Sequence, residues 1–377
     1  MVVPLNSSEM RPFAVAYRCM VPEKVSDSPV AEPVRILGIE TSCDETAAAV
    51  LKDGRHLLSS IVGYQWEIHN RYGGIVPELA CRRHIEVIYP ITEEAVKKAD
   101  ITLNDLTAIA VTSGPGLIGA LLVGVSFAKS LSYALKIPLI SVNHLEGHLW
   151  AISLEKRVQR PFIGLVVSGG HTNLYIVEDI GRYQLIGSTF DDAAGEAFDK
   201  VAKVLGLGYP GGPAIERCAA SGDPKAIAFP RALSKRKGFD FSFSGIKTAV
   251  ISYVRDRYAI SHVDEIPDVL KGEERVKADI AAGFQQAVVD ILVSKTVSAA
   301  YEAGINRVVI SGGVACNRLL REEMDLQAQK YGIKVYVPGP KYCTDNAGMI
   351  AWLGYKYYKK GIFADLRLNP DAQSSIG

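Results

Sequence analysis

Val34-Arg35-Ile36-Leu37-Gly38-Ile39-Glu40, then Thr41-Ser42-Cys43-Asp44-Glu45-Thr46, then Ala47-Ala48-Ala49-Val50-Leu51: this stretch reads as a short apolar strand, a polar turn and a second apolar strand. About 125 residues further on the pattern recurs. Residues 162–167 form a strand, Ser168-Gly169-Gly170-His171-Thr172 a turn, and 173–177 a strand. Two such units, each opening one half of the chain, predict a duplicated domain whose two turns face one cleft. Strands and helices alternate elsewhere. The first half carries a strand at 108–112, a long helix at 116–136, a strand at 138–142 and a helix at 144–154. The second carries a long helix at 276–303, a strand at 307–310, a helix at 317–331, a strand at 334–337 and a final helix at 346–360. This alternation means α/β with largely parallel pairing.

The chain has 377 residues, 48% of them hydrophobic, enough for two domains with substantial cores. A net charge of +1 excludes a global basic field for nucleic acid, so RNA contact falls to local patches or to a partner. The cysteines at 19, 43, 81, 218, 316 and 343 show no CxxC spacing and stand beside no secretory signal. They read as reduced thiols in a cytoplasmic protein. No apolar run is expected to reach the roughly 18 residues of a membrane helix, and no membrane partner is predicted. Residues 1–33 mix five prolines with Ser and with Glu9, Glu23, Asp27 and Glu32. They are too acidic for a targeting peptide and show no clean period, so they read as a disordered leader.

Glycine turns end three apolar strands: Ser113-Gly114-Pro115-Gly116, Ser168-Gly169-Gly170 and Ser311-Gly312-Gly313. Glycine lets backbone N–H groups approach an anion, and a following helix start adds a favourable dipole. One such turn is only a turn; three together favour a nucleotide cleft. None fits a P-loop or a dinucleotide fingerprint. In Asn143-His144-Leu145-Glu146-Gly147-His148, a helix sets His144 and His148 on one face, as two ligands of one metal or as ordinary core histidines. Glu146 falls about 200° round from His144, badly placed as the general base of a metallopeptidase. Asp345 either caps the last helix or completes a two-His, one-carboxylate set. Asp199 either pairs with Lys203 at i,i+4 or meets a ribose, with the Pro210-Gly211-Gly212-Pro213 turn bringing backbone to a ligand. Arg82-Arg83-His84 and the basic run at 231–237, which precedes Phe239, Phe241 and Phe243, are solvated loops or RNA contacts.

Together these motifs resemble the bacterial tRNA N6-adenosine threonylcarbamoyltransferases, the TsaD family, once called glycoproteases. The resemblance runs from about Val34 to about Ala364. It is carried by Gly38 to Thr46, Gly73-Gly74-Ile75-Val76-Pro77-Glu78, Gly114 to Leu117, Asn143 to His148, Val167 to Thr172 and Gly195 to Lys200. Phe241 to Thr248, Gly312 to Asn317 and Cys343-Thr344-Asp345-Asn346-Ala347 continue it. The family implies an actin-like ATPase (actin/Hsp70/sugar kinase, ASKHA) fold with two duplicated lobes. Lobe I is then 34–157 plus 345–371, and lobe II is 158–344. It implies one divalent metal ion, iron or zinc, on His144, His148 and Asp345. It implies threonylcarbamoyl-AMP held by Val167, Ser168, Gly169, Gly170, His171, Asp199, Gly212 and Asn317, with Glu216 a further candidate. Its partners are tRNA, a non-catalytic paralogue, TsaB, and a small ATPase, TsaE.

The implied reaction is attack by N6 of adenosine 37, in tRNAs reading codons that begin with A, on the carbamoyl carbon, releasing AMP. The metal polarises the carbamate, the glycine turns bind the phosphate, and Asp44 or Glu45 takes the amine proton. Cys43 and Cys316 lack an evident base and read as small buried residues. Three rivals remain at this point: a kinase on the same fold, a metallopeptidase disfavoured by Glu146, and a non-catalytic scaffold in a tRNA-modifying complex.

Overall fold

The computed structural model describes residues 32–233 and 237–376. Almost all of the expected leader therefore lies outside the described residues, as do Ser234, Lys235 and Arg236 of the basic run. Within the described residues two five-stranded sheets share one topology. The first contains β1 (Arg35–Glu40), β2 (Thr46–Lys52), β3 (His56–Gly63), β4 (Ala108–Gly114) and β5 (Leu139–Asn143), in the order β3-β2-β1-β4-β5. The second contains β6 (Phe162–Val167), β7 (Thr172–Asp179), β8 (Arg182–Ser188), β9 (Arg307–Ser311) and β10 (Lys334–Tyr336), in the order β10-β9-β6-β7-β8. β1 pairs antiparallel with β2 and parallel with β4; β6 pairs antiparallel with β7 and parallel with β9. The duplication read from the two hairpins is therefore a duplication of whole sheets. The expectation of largely parallel pairing needs correcting. Each hairpin continues into a third antiparallel strand, β3 or β8, that the sequence reading did not name.

Twelve α-helices complete these residues: α1 (Trp66–Asn70), α2 (Pro77–Lys98), α3 (Ile118–Leu135), α4 (His144–Trp150), α5 (Ala194–Val204) and α6 (Gly211–Ala219), then α7 (Ser244–Tyr258), α8 (Ile266–Val269), α9 (Glu274–Glu302), α10 (Arg318–Gln329), α11 (Pro340–Cys343) and α12 (Ala347–Lys359). Both faces of the first sheet are covered, which is why β1 reads as an unbroken apolar run. Leu37 and Ile39 join the core that holds Ile88 and Val96 of α2 and Val125 of α3, while Ile36 joins the core of α4 and α12. α12 returns from the far end of the chain to lie on β1. Gly38 permits that approach, because a Cβ there would collide with the Ala347 carbonyl. In the second sheet Ile163, Leu165 and Val167 pack into the core around α9, whose Ile280, Phe284, Val288 and Ile291 are buried.

The expectation that no segment matches a membrane helix is also corrected. α3 is long and apolar enough by length and composition, the only such helix among the described residues. It packs on β4 and α2 as a core helix does, and its outer side leaves Ile118 and Leu122 more than half exposed.

Candidate metal centre between two polar turns

β5 ends at Asn143, whose side-chain oxygen accepts from the N–H groups of Leu145 (2.9 Å) and Glu146 (3.3 Å) and so starts α4. One helical turn then stacks His144 and His148 edge to face, with ring centroids 4.6 Å apart. α12 is capped by Asn346, which accepts from Met349 N–H at 3.0 Å. Asp345 is therefore not the cap. Freed from that duty, its Oδ1 lies 3.1 Å from His148 Nε2 and 3.6 Å from His144 Nε2. One donor atom from each of the three residues falls within 4.8 Å of the others.

A fourth residue, which the sequence reading missed, orients this set. Glu40 ends β1 and is fully buried. Its Oε1 accepts from Ser42 N–H at 2.5 Å; its Oε2 accepts from Thr112 Oγ1 at 2.7 Å and lies 3.0 Å from His144 Nδ1. A carboxylate there keeps a proton on His144 Nδ1 and fixes the ring with Nε2 toward Asp345. The signal was present: an acid closing an otherwise apolar, buried strand needs a partner. Two imidazole nitrogens and one carboxylate oxygen, with a second carboxylate behind, suit a divalent transition metal. The surrounding charges favour a cation. Burial pushes His144 down, yet Asp345 and Glu40 outweigh it and hold its pKa at about 9. Burial likewise pushes Asp345 up, and the two histidines overcome it, keeping the carboxyl below its usual range.

Glu146 points elsewhere, as its helical position predicts. It accepts hydrogen bonds from the hydroxyls of Tyr183 on β8 and Tyr357 on α12. It ties α4 to those elements and is no base at the histidine cluster.

The 168–172 turn faces the histidine cluster. Burial and the charges of His144 and His148 push the His171 pKa down to about 4. The turn is held by its own bonds, Ser168 N–H to the His171 carbonyl (2.8 Å) and His171 N–H to Ser168 Oγ (3.2 Å), and by Gly195 N–H donating to the Ser168 carbonyl (3.1 Å). Gly312, at φ +94°, sits against the Val167 backbone, which brings Gly313 beside the turn. Asp199 Oδ1 accepts from Gly211 N–H at 2.7 Å, in place of the Lys203 pairing that was one of its two readings; Lys200 bridges Asp192 and Glu196. Burial raises the Asp199 pKa to about 6 against that bond. Glu216 accepts from Arg318 N–H at 2.8 Å. Asn317 caps α10 through Leu320 N–H (3.0 Å) and donates to Gln285 at 2.9 Å. A Cβ added to Gly169, Gly170, Gly212 or Gly313 would meet open space, and none of the four has a positive φ. No intramolecular crowding requires glycine at these positions.

Opposite stands the 41–45 turn. Asp44 is buried, with Tyr209 Oη 3.5 Å from its carboxylate. Burial and the charge of Asp44 push Glu45 well above the usual carboxylate range. The same burial and acids push the Cys43 thiol far up, so it is no nucleophile. Cys316, expected as a small buried residue, is half-buried, and Cys343 and Arg321 beside it lower its pKa to about 7.

One motif falls away, and with it three residues of the basic clusters. The 113–116 turn is filled by protein: Gly116 packs on the Ser42 carbonyl and Gly114 on that of Asp371, so it is a packing turn. His84 is buried, holding Thr46 Oγ1 at 2.7 Å and the Cys43 carbonyl at 2.9 Å, and Phe241 and Phe243 are fully buried in the second core. None of these three offers a surface for RNA.

A family model for tRNA N6-adenosine threonylcarbamoyltransferase, TsaD, matches residues 56–352. The tRNA N6-adenosine threonylcarbamoyltransferase of Geotalea uraniireducens is 53% identical over 87% of this chain and 93% of its own length. That of Caldicellulosiruptor saccharolyticus is 54% identical over 86% and 94%. Among solved structures, HypF from T. kodakarensis aligns with a TM-score of 0.57 at 15% identity, over 90% of this chain and 49% of that one. Component A of the Acidaminococcus fermentans (R)-2-hydroxyglutaryl-CoA dehydratase aligns with a TM-score of 0.51 at 16% identity, over 86% and 99%. Those two likenesses concern the fold alone, and it is the actin-like, ASKHA fold. The long sequence matches carry more: the chain belongs to the tRNA N6-adenosine threonylcarbamoyltransferase family, TsaD.

Proposed function

We propose that threonylcarbamoyl transfer to N6 of the tRNA adenosine takes place where the histidine–aspartate cluster lies between the acidic 41–45 turn and the glycine-bearing 168–172 turn. The observation that carries this reading is the convergence of His144, His148 and Asp345, the last of them 197 residues beyond His148, onto one point. His144, His148 and Asp345 would hold one divalent ion, Fe2+ or Zn2+. When bound, such an ion supplies a Lewis acid for the carbamoyl oxygen.

The chain's own groups do the rest. Backbone N–H groups at Gly169, Gly170 and Gly313 receive the phosphate of threonylcarbamoyl-AMP, beside Val167, Ser168 and His171. Asp199 accepts from a ribose hydroxyl, Gly212 lets backbone lie close to the nucleoside, and Glu216 and Asn317 hold the far end of the pocket. The N6–carbon bond forms, the carbon–oxygen bond to phosphate breaks, and AMP leaves with the electron pair. The N6 proton passes to Asp44; Glu45, held protonated by burial and by Asp44, is the poorer acceptor. The first sheet with α12 forms lobe I (34–157 and 345–371), and the second forms lobe II (158–344). The exposed Ile85 and Tyr89 of α2 and Ile118 and Leu122 of α3 suit a helical face of the paralogue TsaB; TsaE would act on that assembly. The reaction belongs in the cytoplasm, with its tRNA.

His148→Ala tests the reading. Bound metal should fall well below one ion per chain and transfer by at least about 100-fold, with circular dichroism unchanged. Full metal content in that variant would remove the site.

A further inference from the structure

Beside the acidic turn, two buried side chains carry polar atoms with no partner among the described residues. They are Gln65, through both Oε1 and Nε2, and His69, through Nε2. Gln65 is 2% exposed and His69 is fully buried. Leaving such groups unpaired costs free energy, so a partner is expected. The hydrogen-bonding pattern they offer is defined. His69 Nδ1 accepts from Val76 N–H at 3.3 Å, so the ring proton sits on Nε2 and that atom is a donor. Burial lowers the His69 pKa, which keeps the ring neutral. Gln65 offers one acceptor and a pair of donor hydrogens in one plane.

Their place in the fold points at the acceptor substrate. The β2–β3 register pairs Thr46 with Gly63. The ladder ends there, so Tyr64 and Gln65 leave β3 at the same end of the sheet where Asp44 and Glu45 lead into β2. The charge of Asp44 acts on His69 and that of Glu45 on Tyr64. Asn70, next to His69, accepts from Tyr209 N–H at 3.3 Å, and the Tyr209 hydroxyl reaches toward Asp44. The two orphaned side chains thus adjoin the group assigned above to take the N6 proton.

We propose that Gln65 and His69 form the subsite that receives the adenine base of the tRNA acceptor. Gln65 Oε1 accepts from N6–H, Gln65 Nε2 donates to the neighbouring ring nitrogen, N1 or N7, and His69 Nε2–H donates to another ring nitrogen. An amide matches an adenine edge in this bidentate way and mismatches guanine, whose O6 replaces the N6 donor. The acids around the site repel a phosphate or a threonine carboxylate and tolerate a neutral base. A base from a single-stranded loop can be turned out to reach it. This subsite rests on the proposed site of transfer beside Asp44.

The test is single-turnover transfer from preformed threonylcarbamoyl-AMP, using the full chain with whatever partner proteins turnover requires. The tRNAs carry adenosine, or adenosine with C–H in place of N1 or of N7, at the acceptor position. For the wild type, one of the two replacements should lower the rate at subsaturating tRNA by about 10- to 100-fold. Gln65→Leu should lose a similar factor on normal tRNA and little more on the replaced one, while binding an AMP analogue within about twofold of wild type. Gln65→Met, closer in shape, serves if the leucine variant melts early. The proposal is overturned if neither replacement slows the wild type, if the two penalties multiply, or if both Gln65 variants keep the wild-type rate. The last two results would mean that Gln65 and His69 merely hold an internal water. Any of these with wild-type transfer still metal-dependent removes the base subsite alone and leaves the metal-centre reading standing.

Discussion

The two halves of the molecule build the same object and load it with opposite chemistry. β1 and β6 each end at a tight turn into an antiparallel partner, each beside a parallel neighbour, β4 or β9. The turn after β1 holds Asp44 and Glu45, with Glu40 behind it. The turn after β6 holds Gly169, Gly170 and His171, whose ring is kept neutral. An acidic rim suits a cation and a departing proton; exposed backbone N–H groups without nearby acid suit a phosphate. Duplication supplies two equivalent loop positions, and in the proposed reading a few side chains decide which end of the reaction each one handles.

The largest expected effects come from exchanging those characters. Asp44→Asn removes the acid from the first turn. Transfer should fall by about two to four orders of magnitude, the usual contribution of a general base, with AMP-analogue affinity unchanged. Gly170→Asp adds an acid to the second turn, where a side chain meets open space and the fold has no reason to object. Analogue affinity should fall by about 100-fold through charge repulsion, with melting temperature and metal content unchanged. Calorimetric titration and elemental analysis of both variants read the division directly. If Asp44→Asn loses the nucleotide, or Gly170→Asp keeps it, the two turns do not divide the work in this way.

Much of this division was legible in the sequence, because each turn is contiguous. Apolar runs bounded by polar residues located β1, β2, β6 and β7, and helical spacing paired His144 with His148. What escaped was set by contacts far apart in the chain. Asp345 and Asn346 are equally good cap residues on paper; the packing of α12 on β1 decides that Asn346 caps and Asp345 faces the histidines. Phe241 and Phe243 beside a basic run look like stacking residues, yet the core of the second sheet takes both rings. The glycines of the 113–116 turn resemble those of the other two turns until Ser42 and Asp371 are seen packed on them. Gln65 and His69 carry no local signal. Their interest lies only in side-chain atoms left unpaired among the described residues.

A smaller effect separates Glu40 from its counterpart at the end of β6, Val167. Both are fully buried; one orients His144 and the other fills the second core. Glu40→Gln keeps the volume and removes the charge behind His144 Nδ1. Metal affinity, measured by competition with a chelator, should drop by about 10- to 100-fold, the usual cost of losing such a supporting carboxylate. AMP-analogue affinity should be unaffected. An unchanged metal affinity would show that Ser42 Oγ, 3.1 Å from the same nitrogen, suffices to hold the ring.

The smallest effect distinguishes the two sides by pH. Asp199 is proposed for the nucleotide side, yet burial raises its pKa to about 6, with the Gly211 N–H bond working against that rise and Asp44 and Glu196 adding to it. A ribose hydroxyl donates to the ionised carboxylate, so nucleoside affinity should grow as pH rises through about 6 and level off above 7. Adenosine is the ligand to use, since the phosphate of AMP titrates in the same range. Between pH 5 and the plateau the gain should be about 10-fold, one decade for one unit below the pKa. Asp199→Asn should be flat with pH and weak throughout. Stability runs the opposite way. The folded carboxyl keeps its proton up to about pH 6, whereas the unfolded one loses it near 4, so this group's contribution to folding falls as pH rises across that window. The melting temperature of wild type relative to Asp199→Asn should therefore decline from pH 4 to 7 while wild-type adenosine affinity climbs. If adenosine affinity is flat in the wild type, or climbs equally in the variant, Asp199 only braces the Gly211 turn and the ribose contact lies elsewhere.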